Sequence, residues 1–185
     1  MALLDHLEIE RSHLFGFSMG GGIALKLACD WPARVGRVVV SRVGDAALNR
    51  LDDPREIAAI HEAFEADSAD AVALPTAHAI RRAAERGGND LKALTPFLRN
   101  GGWPGGLDAE RPVTAPVLVV VADEDQYMGE VIELLRWLGH AQFVCASGCD
   151  HYTVLDDAAV RRAVLDFLGA DTDARPGAVR ASGAD

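Results

Sequence analysis

Apolar positions along this chain switch between two kinds of spacing. Leu14 to Phe17 form a short apolar run, and Met19 to Asp30 follow with the three-to-four spacing of a helix, facing Ile23, Leu25, Leu27 and Ala28 inward. Ahead of them, residues 2–10 set Leu3, Leu4, Leu7 and Ile9 on one helical face. Pro32 ends the second helix, because a proline disfavours helical geometry at the residue before it, Trp31. "RVVVS", Arg37 to Ser41, is continuously apolar and β-branched, the mark of a strand covered on both faces.

From Gly44 to about Arg111 the pattern becomes helices and turns. One helix starts at Asp53-Pro54 and carries Ile57, Ile60 and Phe64, with proline at the favoured first position. Another follows Pro75, carries Ala79, Ile80 and Ala83 and stops at Gly87-Gly88, and a third spans Leu91 to Arg99. "NGGWPGG", residues 100–106, reads as a flexible turn. The strand signal then returns in "PVLVVVA" (116–122) and "AQFVCA" (141–146), with a helix over Val131 to Leu138 between them. Asp156 is placed to cap a last helix holding Val160, Val164, Phe167 and Leu168.

Strands alternating with helices imply an α/β fold, a parallel sheet with flanking helices. Four segments follow: core at 1–43, a helical lid insertion at 44–111, core again at 112–169, and a disordered tail at 170–185.

Composition narrows the function. A net charge of −10 argues against nucleic acid, which requires a concentrated basic surface. The basic group Arg81, Arg82 and Arg86 reads as the solvated face of a helix. No apolar run reaches the ~20 residues of a membrane span, and no signal-peptide layout opens the chain, so a cytoplasmic location is expected. Cys29, Cys145 and Cys149 form no zinc pattern and read as small core residues. No cofactor or metal is implied.

The chemistry gathers at "GFSMG", Gly16 to Gly20. Gly-x-Ser-x-Gly is a weak pattern alone. Between a strand and a helix it is the composition of a nucleophile elbow, in which serine sits on a strained turn and small residues flank it. A serine hydroxyl needs a base, and the base needs an orienting acid. Of six histidines, only His151 follows the C-terminal end of a strand and precedes a helix, where parallel sheets gather their sites. The acid falls among Asp123, Glu124 and Asp125, after the strand at 116–122; the pattern does not choose between them.

Three separated blocks resemble the α/β-hydrolase superfamily in its small serine esterase and haloperoxidase-like branch. They are "HLFGFSMGGGIALKLACDWPARVGRVVV", "APVLVVVADEDQYM" and "DHYTVLDDAAVRRAVLDFL". In that family a Gly-x-x-Asp tetrapeptide usually carries the acid. Ala122 stands in the glycine's place, which makes Asp125 the matching acid and Asp123 the alternative. The resemblance implies a Ser18–His151–Asp125 triad, acyl-enzyme chemistry on an ester-like bond, and the Met19 backbone N–H as an oxyanion donor. Serine at the elbow argues against the branches that use aspartate there.

The family's four earlier strands and oxyanion loop have no counterpart in these residues. A shortened gene model or a natural truncation would both fit, and sequence upstream of Met1 would then encode those strands and a His-Gly-like loop. The elbow strand is expected at an open sheet edge, where a homo-oligomer or a partner chain could dock. A non-catalytic remnant and a cofactor-free perhydrolase or haloperoxidase are the competing functions. The expected substrate is a small uncharged ester or lactone, with Phe64, Ile80, Phe97 and Trp103 as candidate pocket walls.

Overall fold

In a computed structural model of the protein, residues 1–48, 54–99, 107, 111–125 and 130–169 are described. Among them, four parallel strands lie in the order β1-β2-β3-β4, so chain order and spatial order coincide. The strands are β1 (Ser12–Phe17), β2 (Val35–Ser41), β3 (Val117–Ala122) and β4 (Gln142–Ala146). The helices are α1 (Ala2–His6), α2 (Met19–Asp30), α3 (Pro54–Glu65), α4 (Pro75–Arg86), α5 (Leu91–Arg99), α6 (Ile132–Leu138) and α7 (Ala158–Gly169). The elements form where the periodicity predicts them, with ends shifted by a few residues. The first helix is shorter than residues 2–10, since the chain turns at Leu7 and Glu8 takes a left-handed φ of 56°.

Alternation along the strands divides the core into two layers. Val38 and Val40 of β2 and Val117, Val119 and Val121 of β3 face Ala24, Leu25 and Ala28 of α2 and Leu134 and Leu138 of α6. On the other face, Val39, Leu118, Val120 and Ala122 meet Val154 and the α7 residues Val160 and Phe167. Because β3 is buried on both faces, every position in it is apolar. Asp45, after β2, accepts a 2.8 Å hydrogen bond from the Leu134 amide and thereby holds the first turn of α6 against the sheet.

Helices α3, α4 and α5 form a separate apolar cluster built on Ile60, Ala63, Phe64, Ala77 and Ala84. Arg81 departs from the expected solvated face. It is buried, donating to the Ala63 and Ala66 carbonyls at the end of α3 and pairing with Glu85. An arginine's fork can satisfy several acceptors that a helix end leaves open, which helical spacing does not disclose.

Three smaller expectations are also corrected. Ile23 is exposed, and Gly21, Ala24 and Cys29 join Leu25 and Ala28 inside α2. Cys145 is exposed and Cys149 half-buried, while Cys29 is a core residue. The last helix is capped by Asp157, whose Oδ1 accepts from the Val160 amide at 2.8 Å; Asp156 ends the preceding 3₁₀ turn and pairs with Arg161. The expected turn at 100–106 with Trp103, the Phe97 side chain and the tail at 170–185 lie outside the described residues. Among those described, no helix is long and apolar enough to cross a membrane.

Candidate active site

Ser18 is the single residue between the end of β1 and the start of α2. Its backbone stands at φ 52°, ψ −120°, a conformation that costs an L-residue on the order of 1–3 kcal/mol and persists only where its surroundings enforce it. Two hydrogen bonds do so: the Ser18 amide donates to the Ser41 carbonyl at 2.8 Å, and the Gly21 amide donates to the Ser18 carbonyl at 2.8 Å. The turn also needs Gly16, where a Cβ would stand 2.3 Å from the Gly20 carbonyl oxygen and 2.6 Å from Gly21 Cα. Gly20 is different. A Cβ there would meet nothing, whereas one on Gly21 would fall 2.2 Å from Val43 Cγ2. Of the two glycines in the pentapeptide, then, only the first is required by space. Met19 opens α2, so its amide belongs to the helical turn whose N–H groups lack intrahelical acceptors.

The acid and histidine loops arrive at the same end of the sheet. After β3 the chain turns through Asp123 and Glu124, with the Asp125 amide donating to the Ala122 carbonyl at 3.2 Å. The Asp125 side chain is fully buried, and its Oδ1 lies 3.3 Å from His151 Nδ1. A neutral ring making that contact carries its proton on Nδ1, and Nε2 is turned away from the carboxylate. The His151 ring stands edge-on to Phe17, the residue before the serine, with centroids 5.6 Å apart.

Asp123 is occupied elsewhere. Its carboxylate accepts from Ser147 Oγ and the Gly148 amide, each at 2.7 Å, and it ties the β3 turn to the loop after β4. The Ser147 hydroxyl, followed by backbone amides, holds the Asp123 carboxyl below its usual range. Asp150 acts similarly one residue before the histidine. Its Oδ1 accepts from the Tyr152 and Thr153 amides and the Thr153 hydroxyl, and these bonds lower its pKa.

Other histidines take different positions. His13 Nδ1 accepts from the Arg37 amide, and His140 Nε2 lies 3.2 Å from the Ala115 carbonyl. His78 sits in α4 and His61 in α3. Three further side chains at the site had no motif to reveal them. Arg42 pairs with Asp125, Tyr152 packs on the His151 ring, and Arg86 of α4 lies over Tyr152 and donates to its hydroxyl at 3.2 Å. A charge next to an apolar strand was the available hint for Arg42. Among the described residues, no group of three His, Cys, Asp or Glu side chains is arranged to hold a metal ion.

Comparison with known proteins supplies the remaining context. The sequence model described as "Alpha/beta hydrolase family" matches residues 1–163. The chain belongs to this family. Among curated relatives of this hydrolase chain, 2-hydroxymuconate semialdehyde hydrolase of Pseudomonas sp. (strain CF600) is 32% identical over 193 residues, covering 94% of the chain and 67% of the relative. The 2-hydroxy-6-oxo-6-phenylhexa-2,4-dienoate hydrolase of Comamonas testosteroni is 26% identical, covering 90% of the chain and 65% of the relative. The chain thus spans about two thirds of the length of these relatives. Among solved structures, MenH from S. aureus superposes with a TM-score of 0.68 at 18% identity, covering 92% of the chain and 73% of that structure. Its likeness is one of fold. The four-strand parallel sheet is the corresponding part of the α/β-hydrolase architecture.

Proposed function

We propose that the chain carries a serine hydrolase site in which Ser18 is the nucleophile, His151 the general base and Asp125 the orienting acid. The observation that carries this reading is the strained Ser18 turn at the sheet end where Asp125 and His151 are paired. His151 Nε2 takes the hydroxyl proton as Ser18 Oγ attacks a carbonyl carbon. The tetrahedral oxyanion is met by the Met19 N–H and the N-terminal end of α2. Collapse expels the leaving group with the proton from His151 and leaves an acyl-enzyme, which water hydrolyses by the same steps. The engagement of Asp123 with Ser147 and Gly148 favours Asp125 as the acid.

Two substrate classes are consistent with this site. An uncharged ester-like bond suits the chemistry itself. The relatives named for 2-hydroxymuconate semialdehyde and 2-hydroxy-6-oxo-dienoates favour a second substrate class of that kind. Parallel turnover assays with a p-nitrophenyl ester and with a 2-hydroxy-6-oxo-dienoate separate them. The site itself is tested by fluorophosphonate labelling: wild type should label and Ser18→Ala should not. Silence from both proteins would defeat the hydrolase reading. Among the described residues β1 pairs with β2 alone, which then favours the alternative, a remnant that binds a second chain along that edge.

A further inference from the structure

Arg42 combines three unusual features at one position. It follows the last residue of β2 and takes a left-handed φ of 67°, where glycine is the ordinary occupant. Its side chain is completely buried and ion-paired with Asp125 Oδ2, the oxygen not turned to His151. The same guanidinium donates from Nη1 to the Asp150 carbonyl at 3.2 Å, just ahead of the histidine, and lies 5.3 Å over the Phe17 ring, just ahead of the serine. One side chain therefore touches the acid, the histidine loop and the elbow.

Its charge has a second consequence. A carboxylate beside an imidazole favours the imidazolium, which cannot take a proton from serine. A guanidinium on the far oxygen of that carboxylate opposes this effect. Burial draws the Arg42 pKa below its ordinary value and the Asp125 carboxylate works against that shift; an arginine so placed stays charged.

We propose that Arg42 is a positioning residue of the site. It fixes the Asp125 carboxylate between the guanidinium and the imidazole, and extends to lower pH the range in which His151 is neutral. This rests on the serine hydrolase reading. Among the described residues, other charged or titratable groups near His151 include Asp150 and Tyr152 on its own loop, and Arg86 of α4 over Tyr152. Asp123 and Asp157 lie by Cys149, farther along the same loop. Arg42 differs from these in sharing the carboxylate that contacts the imidazole.

The test follows the His151 imidazole by NMR through a pH titration in a Ser18→Ala background, with Arg42 intact or replaced. Arg42→Gly suits the left-handed backbone and removes the charge. Its His151 midpoint should rise by about one pH unit, the scale of one charge acting across a few ångströms of protein. Arg42→Lys, which keeps the charge and loses the fork, should hold the midpoint near that of the parent. In the Ser18 protein, the acid limb of the kcat/KM profile should move upward with Arg42→Gly by the same amount. An unchanged His151 midpoint in folded Arg42→Gly overturns the proposal. If that variant does not fold, an unchanged midpoint in Arg42→Gln does so. The titration needs no turnover, so its outcome is distinct from a failure of fluorophosphonate labelling.

Discussion

The two glycines of the pentapeptide are equivalent as letters and opposite in space. Adding a methyl at Gly16 drives it into the backbone of Gly20 and Gly21, which cannot move without shifting α2 off the strand. Gly16→Ala should therefore lower unfolding free energy by roughly 1–3 kcal/mol in urea denaturation, the range of overpacked core positions. Gly20 lies in the first turn of α2 with open space at its Cβ. Gly20→Ala should leave stability unchanged or raise it by up to about 1 kcal/mol, because alanine is the better helix former. Equal losses from both changes would show that the close approach is not at Gly16. The motif was readable at this scale because it falls between a strand pattern and a helix pattern, where a nucleophile elbow must lie. Arg42 and Arg81 were not, since their meaning lies in distant partners: Asp125 is 83 positions from Arg42, and the Ala63 carbonyl is 18 from Arg81.

Among the elements, the histidine loop owes its shape to two carboxylates as well as to the burial of Val154. Asp150 organises the turn through Tyr152 and Thr153, and Asp123 ties its start to β3. Both pKa values are depressed in the fold, so each carboxylate favours the folded loop above its unfolded value of about 3.9. That contribution is lost as pH falls through the lower folded value. Amide exchange at Tyr152 and Thr153 should consequently be protected at neutral pH and accelerate only in acid below the usual carboxylate range. Asp150→Asn keeps an oxygen acceptor and should remove most of the acid dependence; Asp150→Ala should expose both amides at every pH. Protection that fades near neutrality would contradict the assignment. Strand positions were legible here because β-branched runs have few alternatives. The cap of α7 was less so: Asp156 and Asp157 are adjacent and chemically identical, and only the backbone path selects Asp157.

At the scale of the molecule, the four-strand sheet ends at β1, which pairs with β2 on one side among the described residues. No strand pairs with its other side among the described residues, and apolar side chains of β1 and of the segment before it are exposed. Phe15 is 45% exposed on β1, with Leu3 and Leu7 of the preceding segment 68% and 53% exposed. Strand edges of this kind pair with other chains unless charge, proline or a covering element prevents it. The fold class was legible because alternating strands and helices admit few architectures; the open edge followed only from the family's strand order, a property of topology that hydrophobic period does not carry. The proposed pairing of this edge makes a definite prediction for the 185-residue chain. Sedimentation velocity should show self-association that grows with protein concentration, and Phe15→Lys should weaken it by placing a charge on the contact face. Since Phe15 lies opposite Val39 on the α7 side of the sheet, three residues from Ser18, the same substitution leaves the elbow backbone in place, and fluorophosphonate labelling should persist while association falls. A wild-type chain that stays monomeric at all accessible concentrations would show that the edge is covered from within the chain itself.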